Sequence, residues 1–97
     1  MPAYIVLYQF TEQGIKNIKS FRQKVDQAHE AIENLGGKVI GCYGVMGEYD
    51  SVGIYEFPSD QVAMAFLLGM GATGEVKTTT LKAFPYEEFG EIASNLP

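Results

Sequence analysis

The sequence predicts a single α+β domain: an antiparallel four-stranded sheet with two helices on one face and a short helix after its last strand. Three observations lead there. Strand-like and helix-like periods alternate in the order β-α-β-β-α-β. The stretch from Val39 to Phe57 reads as two strands folded back at Met46-Gly47-Glu48-Tyr49, where Gly47 can take a positive φ. A length of 97 residues suffices for one core and no more.

From Ala3 to Gln9, Tyr4, Val6 and Tyr8 alternate with Ile5 and Leu7. Neither set is charged, so both faces of this first strand need cover. Thr11 is placed to N-cap the following helix, with Glu12 in its first turn where negative charge suits the dipole. Ile15, Ile18, Phe21, Val25, Ala28, Ile32 and Leu35 then recur at spacings of three and four, which puts them on one helical stripe. Gly36-Gly37 ends that helix with residues that tolerate the left-handed conformation. Ser20, followed three residues later by Gln23, has the pattern of a second capping box, so a break there stays open.

After the hairpin, Pro58-Ser59-Asp60 caps a helix from Gln61 to about Met70, in which Val62 to Leu68 are apolar on every side. A helix without a polar face expects cover on both sides. Gly69, Gly71 and Gly74 release the chain into a β-branched strand from Glu75 to Phe84, stopped by Pro85. Tyr86 to Leu96 forms an acidic terminal helix with Phe89, Ile92, Ala93 and Leu96 on one side. This order is that of the ferredoxin-like plait. No repeat, low-complexity tract or linker interrupts it, so residues 1–97 read as one domain.

Seven Lys and Arg against twelve Asp and Glu give a formal charge of −5. Nucleic-acid binding needs a basic face to displace counterions, so no nucleic-acid partner is expected. The one cysteine, Cys42, excludes an intramolecular disulfide and cannot form a thiolate cage for zinc. That fits a reducing cytoplasm. The opening MPAYIVLYQF reads as a strand and not as an export signal. The longest uncharged run, Gln61 to Gly74, is too short to span a membrane.

Coverage makes a further demand. If Val45 lies opposite Asp50, then Val39, Tyr43, Val52 and Ile54 share one face of the hairpin, and Ile40, Cys42, Tyr55 and Phe57 the other. Two helices cover one side of a four-stranded sheet. The other would expose an apolar patch beyond the ~300–600 Å² usual for soluble monomers. A second copy, sheet on sheet in a symmetric dimer or higher homo-oligomer, is the expected lid.

The segments YIVLYQFTEQGIKNIK, NLGGKV, GEYDSV and EVKTTTLKAF, in this order, resemble the GYD-domain family, called after the Gly-x-Tyr-Asp that stands here as Gly47, Tyr49 and Asp50. The resemblance covers nearly the whole chain and implies a dimeric α/β barrel. The same turn followed by a T-x-T strand is also similar to the effector-binding (RAM) domain of leucine-responsive transcription regulators, which implies amino-acid binding at subunit interfaces. The chain lacks the helix-turn-helix of those regulators, so no DNA-binding role carries over.

Tyr8, Tyr43 and Tyr55 would line a cavity between sheets, bounded by Tyr49 and Asp50. Asp50, just after the turn, could instead accept backbone N–H bonds and fix the hairpin. His29, the lone histidine, has Asp26 three residues before it and Glu33 four after it, which suggests acid/base work. It also lies on the flank of the apolar stripe, where an ordinary boundary histidine belongs. No metal is expected, and Cys42 reads as a buried thiol.

Gly69-Met70-Gly71-Ala72-Thr73-Gly74 matches G-x-G-x-x-G but follows a helix and opens a strand, the reverse of the dinucleotide fingerprint, so no cofactor is expected. Lys16, Lys19, Arg22 and Lys24 read as a solvated basic face, with contact to an anionic ligand headgroup as the alternative. Three functions fit: a homo-oligomer binding a small molecule, a cofactor-free oxygenase, isomerase or lyase in the same cavity, or a structural module whose apolar second helix joins dimers into larger assemblies.

Overall fold

The computed structural model describes residues 1–97. The elements are β1 (Ala3–Phe10), α1 (Glu12–Lys16), a 3₁₀ turn (Ile18–Ser20), α2 (Phe21–Asn34), β2 (Lys38–Gly44), β3 (Ser51–Glu56), α3 (Asp60–Ala72), β4 (Val76–Ala83) and α4 (Tyr86–Ser94). The sheet order is β2-β3-β1-β4 with every pair antiparallel, the ferredoxin-like plait that the element order predicts.

Register decides which side of each strand is covered. Ile5 stands between Ile54 and Leu81, and Leu7 between Val52 and Thr79, so these residues share a face. Tyr4, Val6 and Tyr8 point the other way and are buried beneath α2 and α3 with Ile32, Tyr55, Phe57, Ala63 and Phe66. Phe57 centres this core, its ring 5.7 Å from Tyr4 and 5.5 Å from Phe66. The opposite face has no cover: Tyr43 is 61% exposed and Leu81 50%.

The hairpin closes as predicted, with the Val45 N–H donating to the Asp50 carbonyl at 3.0 Å and Gly47 at φ 116°. Its far end corrects one face assignment. Val39 pairs with Tyr55 but Gly41 with Ile54, leaving Ile40 as the extra residue of a bulge. An inserted residue resets the two-residue alternation. Val39 therefore packs on the core, and Ile40 is half exposed.

The long helical stripe is broken. Thr11 caps α1, its hydroxyl oxygen accepting from the Gly14 N–H at 3.2 Å. The same hydroxyl donates to the Gly74 carbonyl at 2.7 Å, which ties α1 to the entrance of β4. A Cβ on Gly14 would stand 2.2 Å from the Glu75 carbonyl oxygen, so only glycine allows this approach. Ser20 does sit at the break, but it forms no capping box: its hydroxyl donates to the Asn17 carbonyl at 2.9 Å. At the other end of α2, the Gly36 and Gly37 N–H groups reach the Glu33 and Ile32 carbonyls, each at 2.9 Å, with Gly36 at φ 82°. This paired closure satisfies carbonyls that the helix leaves free.

On α3, Ser59 caps the first turn by accepting from the Val62 N–H at 3.2 Å. Ala63 and Phe66 are buried, whereas Met64 and Leu68 on the outer side are exposed, so the second cover expected for this helix does not come from within the chain. Gly69 and Gly71 lie inside α3, and Gly74 takes φ 75° in the turn to β4; the glycine run is a helix end. No residue of α4 is buried.

Candidate functional site: an apolar cleft between sheet and helices

The cleft begins with two tyrosines on neighbouring strands. Tyr8 on β1 and Tyr55 on β3 both face the helices, and their hydroxyl oxygens lie 2.7 Å apart. Tyr55 reaches that partner by lying along its strand over Gly53, where a Cβ would come within 2.0 Å of the Tyr55 hydroxyl. A glycine inside a strand marks such a close approach. Cys42 and Ser51 complete this floor.

The walls come from the helices. Phe21, Val25 and Ala28 of α2 stand on one side, Phe66 and Met70 of α3 on the other, and Phe10 with Ile18 and Val76 closes one end. They enclose about 490 Å³. The rings of Phe10 and Phe21 meet edge to face at 5.6 Å. Lys24 and Glu75 form an ion pair across the rim, joined by Asn17, whose Nδ2 donates to Glu75 at 3.3 Å.

Burial sets the protonation of the floor. It pushes the Tyr55 hydroxyl up to about 12, and the Tyr8 hydroxyl, also crowded by Tyr55, further still. Burial raises the Cys42 thiol too, against the smaller opposing influence of the Ser51 side chain. All three groups are therefore neutral near pH 7. At the rim, the hydrogen bond from Lys24 holds the Glu75 carboxyl below the usual carboxylate range.

Of the residues singled out in the sequence, Tyr8, Tyr55 and His29 come together in this cleft. The His29 Nε2 is buried without a hydrogen-bond partner. Its helical neighbours Asp26 and Glu33 do not pair with it, since the ion pairs are Lys16–Glu12, Lys24–Glu75 and Lys82–Asp60. Tyr43 lies on the open face of the sheet, and Tyr49 and Asp50 lie in the hairpin loop, outside the cleft. The Asp50 carboxylate accepts from the Phe10 N–H at 2.8 Å, and its own N–H donates to the Tyr8 carbonyl at 2.9 Å. That carboxylate ties the hairpin to the end of β1.

Lys24 of the basic cluster also reaches the site, and Phe10, Phe21, Phe66 and Glu75 join it with no pattern in the sequence to mark them. The signal for the floor was present: Gly53 stands two residues before Tyr55, on the same face of the strand. No cluster of three His, Cys, Asp or Glu residues is placed to hold a metal ion.

Fold and cleft together define a ferredoxin-like α+β domain with one ligand-sized apolar recess. The chain belongs to the GYD-domain family, whose profile matches residues 4–93. It is 30% identical, over 86 residues, to a protein of Thermus thermophilus described as a glutamine synthetase and cystathionine beta-lyase binding protein, a match covering 88% of this chain and 90% of that one. No solved structure matches the chain at a significant level. No helix is long and apolar enough to cross a membrane.

Proposed function

We propose that this chain is a homo-oligomeric, small-molecule-binding domain of the cytoplasm, with its ligand in the cleft and a second copy on the open face of the sheet. The cleft carries this reading. Its 490 Å³ falls in the ~300–1,000 Å³ range of small-molecule sites, and it has the composition of one, apolar walls with polar groups at the floor and the rim. Space left unfilled beside a core weakens a fold, and a ligand would offset that cost. Binding is favoured over catalysis because the floor holds neutral hydroxyls and a neutral thiol, and because the Asp50 carboxylate is engaged by backbone. Native mass spectrometry of the purified protein tests it. A retained small molecule that disappears in Ala28→Phe, which fills the cleft, is the expected result; no bound mass, together with no hit in a metabolite screen, would sink the reading.

The Thermus relative favours a second reading, in which the chain docks on a metabolic enzyme. Exposed Met64 and Leu68 of α3, with Phe89 and Ile92 of α4, supply apolar surface for such a contact. Surface plasmon resonance against glutamine synthetase and cystathionine beta-lyase from the same organism as this chain checks it. Saturable binding weakened about tenfold by Leu68→Glu would support the contact, and no response with either enzyme would remove it.

A further inference from the structure

We infer that the cleft selects an uncharged, ring-bearing molecule whose carbonyl oxygen accepts a hydrogen bond from the Tyr8–Tyr55 hydroxyl pair, a statement that rests on the small-molecule reading above. Hydrogen-bond donors set the first constraint. Two hydroxyls bring two O–H groups, and their mutual bond at 2.7 Å uses one. Neither oxygen has another hydrogen-bond partner in the chain, so one O–H remains to be satisfied. A buried donor without an acceptor costs about 1–3 kcal/mol, which a ligand oxygen would relieve. Burial keeps both phenols protonated, so the pair offers a hydrogen and no negative charge.

Charge gives the second constraint. Tyr8, Tyr55, Cys42 and Ser51 contain no ionised group to meet a buried anion or cation, and an unpaired buried charge is heavily penalised. Apart from His29, the titratable side chains of opposite charge on the lining are Lys24 and Glu75, which pair with each other, Glu75 also accepting from Asn17. The walls give the third. Phe10, Phe21 and Phe66 present ring faces and edges, which favour a flat aromatic body in offset or edge contact. His29, whose Nε2 also lacks a partner, is a second point where a ligand's polar atom would be satisfied.

Three probes of one shape separate these terms in the full chain: 2-acetonaphthone, 2-ethylnaphthalene and 2-naphthoate, titrated by calorimetry or by amide NMR shifts. The ketone should bind about tenfold more tightly than the hydrocarbon, the worth of one hydrogen bond, and the carboxylate should bind more weakly than the ketone. In the Tyr8→Phe/Tyr55→Phe double variant, which removes both hydroxyls and keeps both rings, the ketone-to-hydrocarbon ratio should fall to about one while the hydrocarbon still binds. Equal affinity for ketone and hydrocarbon in the wild-type protein overturns the donor assignment without needing any variant. A ratio that survives in the double variant overturns it as well. Naphthoate bound as tightly as the ketone overturns the requirement for a neutral ligand. Each of these outcomes leaves the small-molecule reading standing, and so does binding of none of the three, which overturns this inference alone.

Discussion

Tyr55 can meet Tyr8 only because residue 53 has no side chain. In Gly53→Ala the new methyl would occupy the place of the Tyr55 hydroxyl, 2.0 Å away, and the ring would have to rise off the strand. Overpacking of this kind costs about 1–3 kcal/mol, so the urea midpoint should drop and the hydroxyl bond should open. A wild-type midpoint would mean that the ring does not need to lie flat. The hydroxyl pair itself should behave non-additively. Tyr55→Phe alone leaves the Tyr8 oxygen buried with no partner and should cost about 1–2 kcal/mol, whereas removing both hydroxyls replaces a polar pair by an apolar one at little cost. Equal and additive losses in the two single variants and the double variant would contradict this pairing.

At the scale of elements, α2 is held to the entrance of β4 by Lys24 and Glu75, with Asn17 as a third member. Because Lys24 lowers the native Glu75 value, the pair's stabilisation is fully present above the unfolded value of about 4.5 and is lost as the pH falls through the lower native one. Asp60 behaves likewise: the Tyr4 hydroxyl first and Lys82 second hold it below its model-peptide value of 3.8. Acid unfolding should therefore draw on both carboxylates, and Glu75→Gln should flatten the acid limb of a stability-versus-pH curve without removing it. An unchanged limb would show that the rim pair contributes nothing beyond an ordinary surface ion pair. The same elements show what a sequence can reveal. The caps at Thr11 and Ser59 and the double-glycine stop after α2 are local events, written in neighbouring residues, and they stand where the pattern puts them. The bulge at Ile40 was hidden because Val39 and Ile40 are both β-branched and either could face the core; Gly41 was its only trace. Tyr8, Tyr55 and His29 were legible as candidates, but the cleft was not. It depends on how far α2 and α3 stand apart over the sheet, and no spacing along the chain records that distance.

The whole molecule shows too much surface for its mass. A compact monomer of 10.7 kDa would expose about 5,500 Å², and this chain exposes 6690 Å². Its radius of gyration of 14.7 Å likewise exceeds the ~12.5 Å of a compact chain of this length. The excess, roughly 1,200 Å², compares with the ~800 Å² that each partner buries in a standard interface. Part of it belongs to α4, which buries nothing, and part to the open face of the sheet, where Ile5, Leu7, Val52 and Ile54 are half covered and Tyr43 and Leu81 are largely bare. If that face is the homo-oligomer contact, one charge at its middle should undo it. Val52 stands opposite both Leu7 and Tyr43 and takes no part in the buried core, so Val52→Lys should leave the helical side and the cleft intact. Sedimentation equilibrium at micromolar concentration should then give a single-chain mass for Val52→Lys and a dimer or larger for the wild type, with the same far-ultraviolet circular dichroism for both. A wild-type protein that sediments as one chain would leave this apolar face to another partner. A Val52→Lys variant that keeps the wild-type mass would move the contact to the outer side of α3, where Leu68 is 67% exposed.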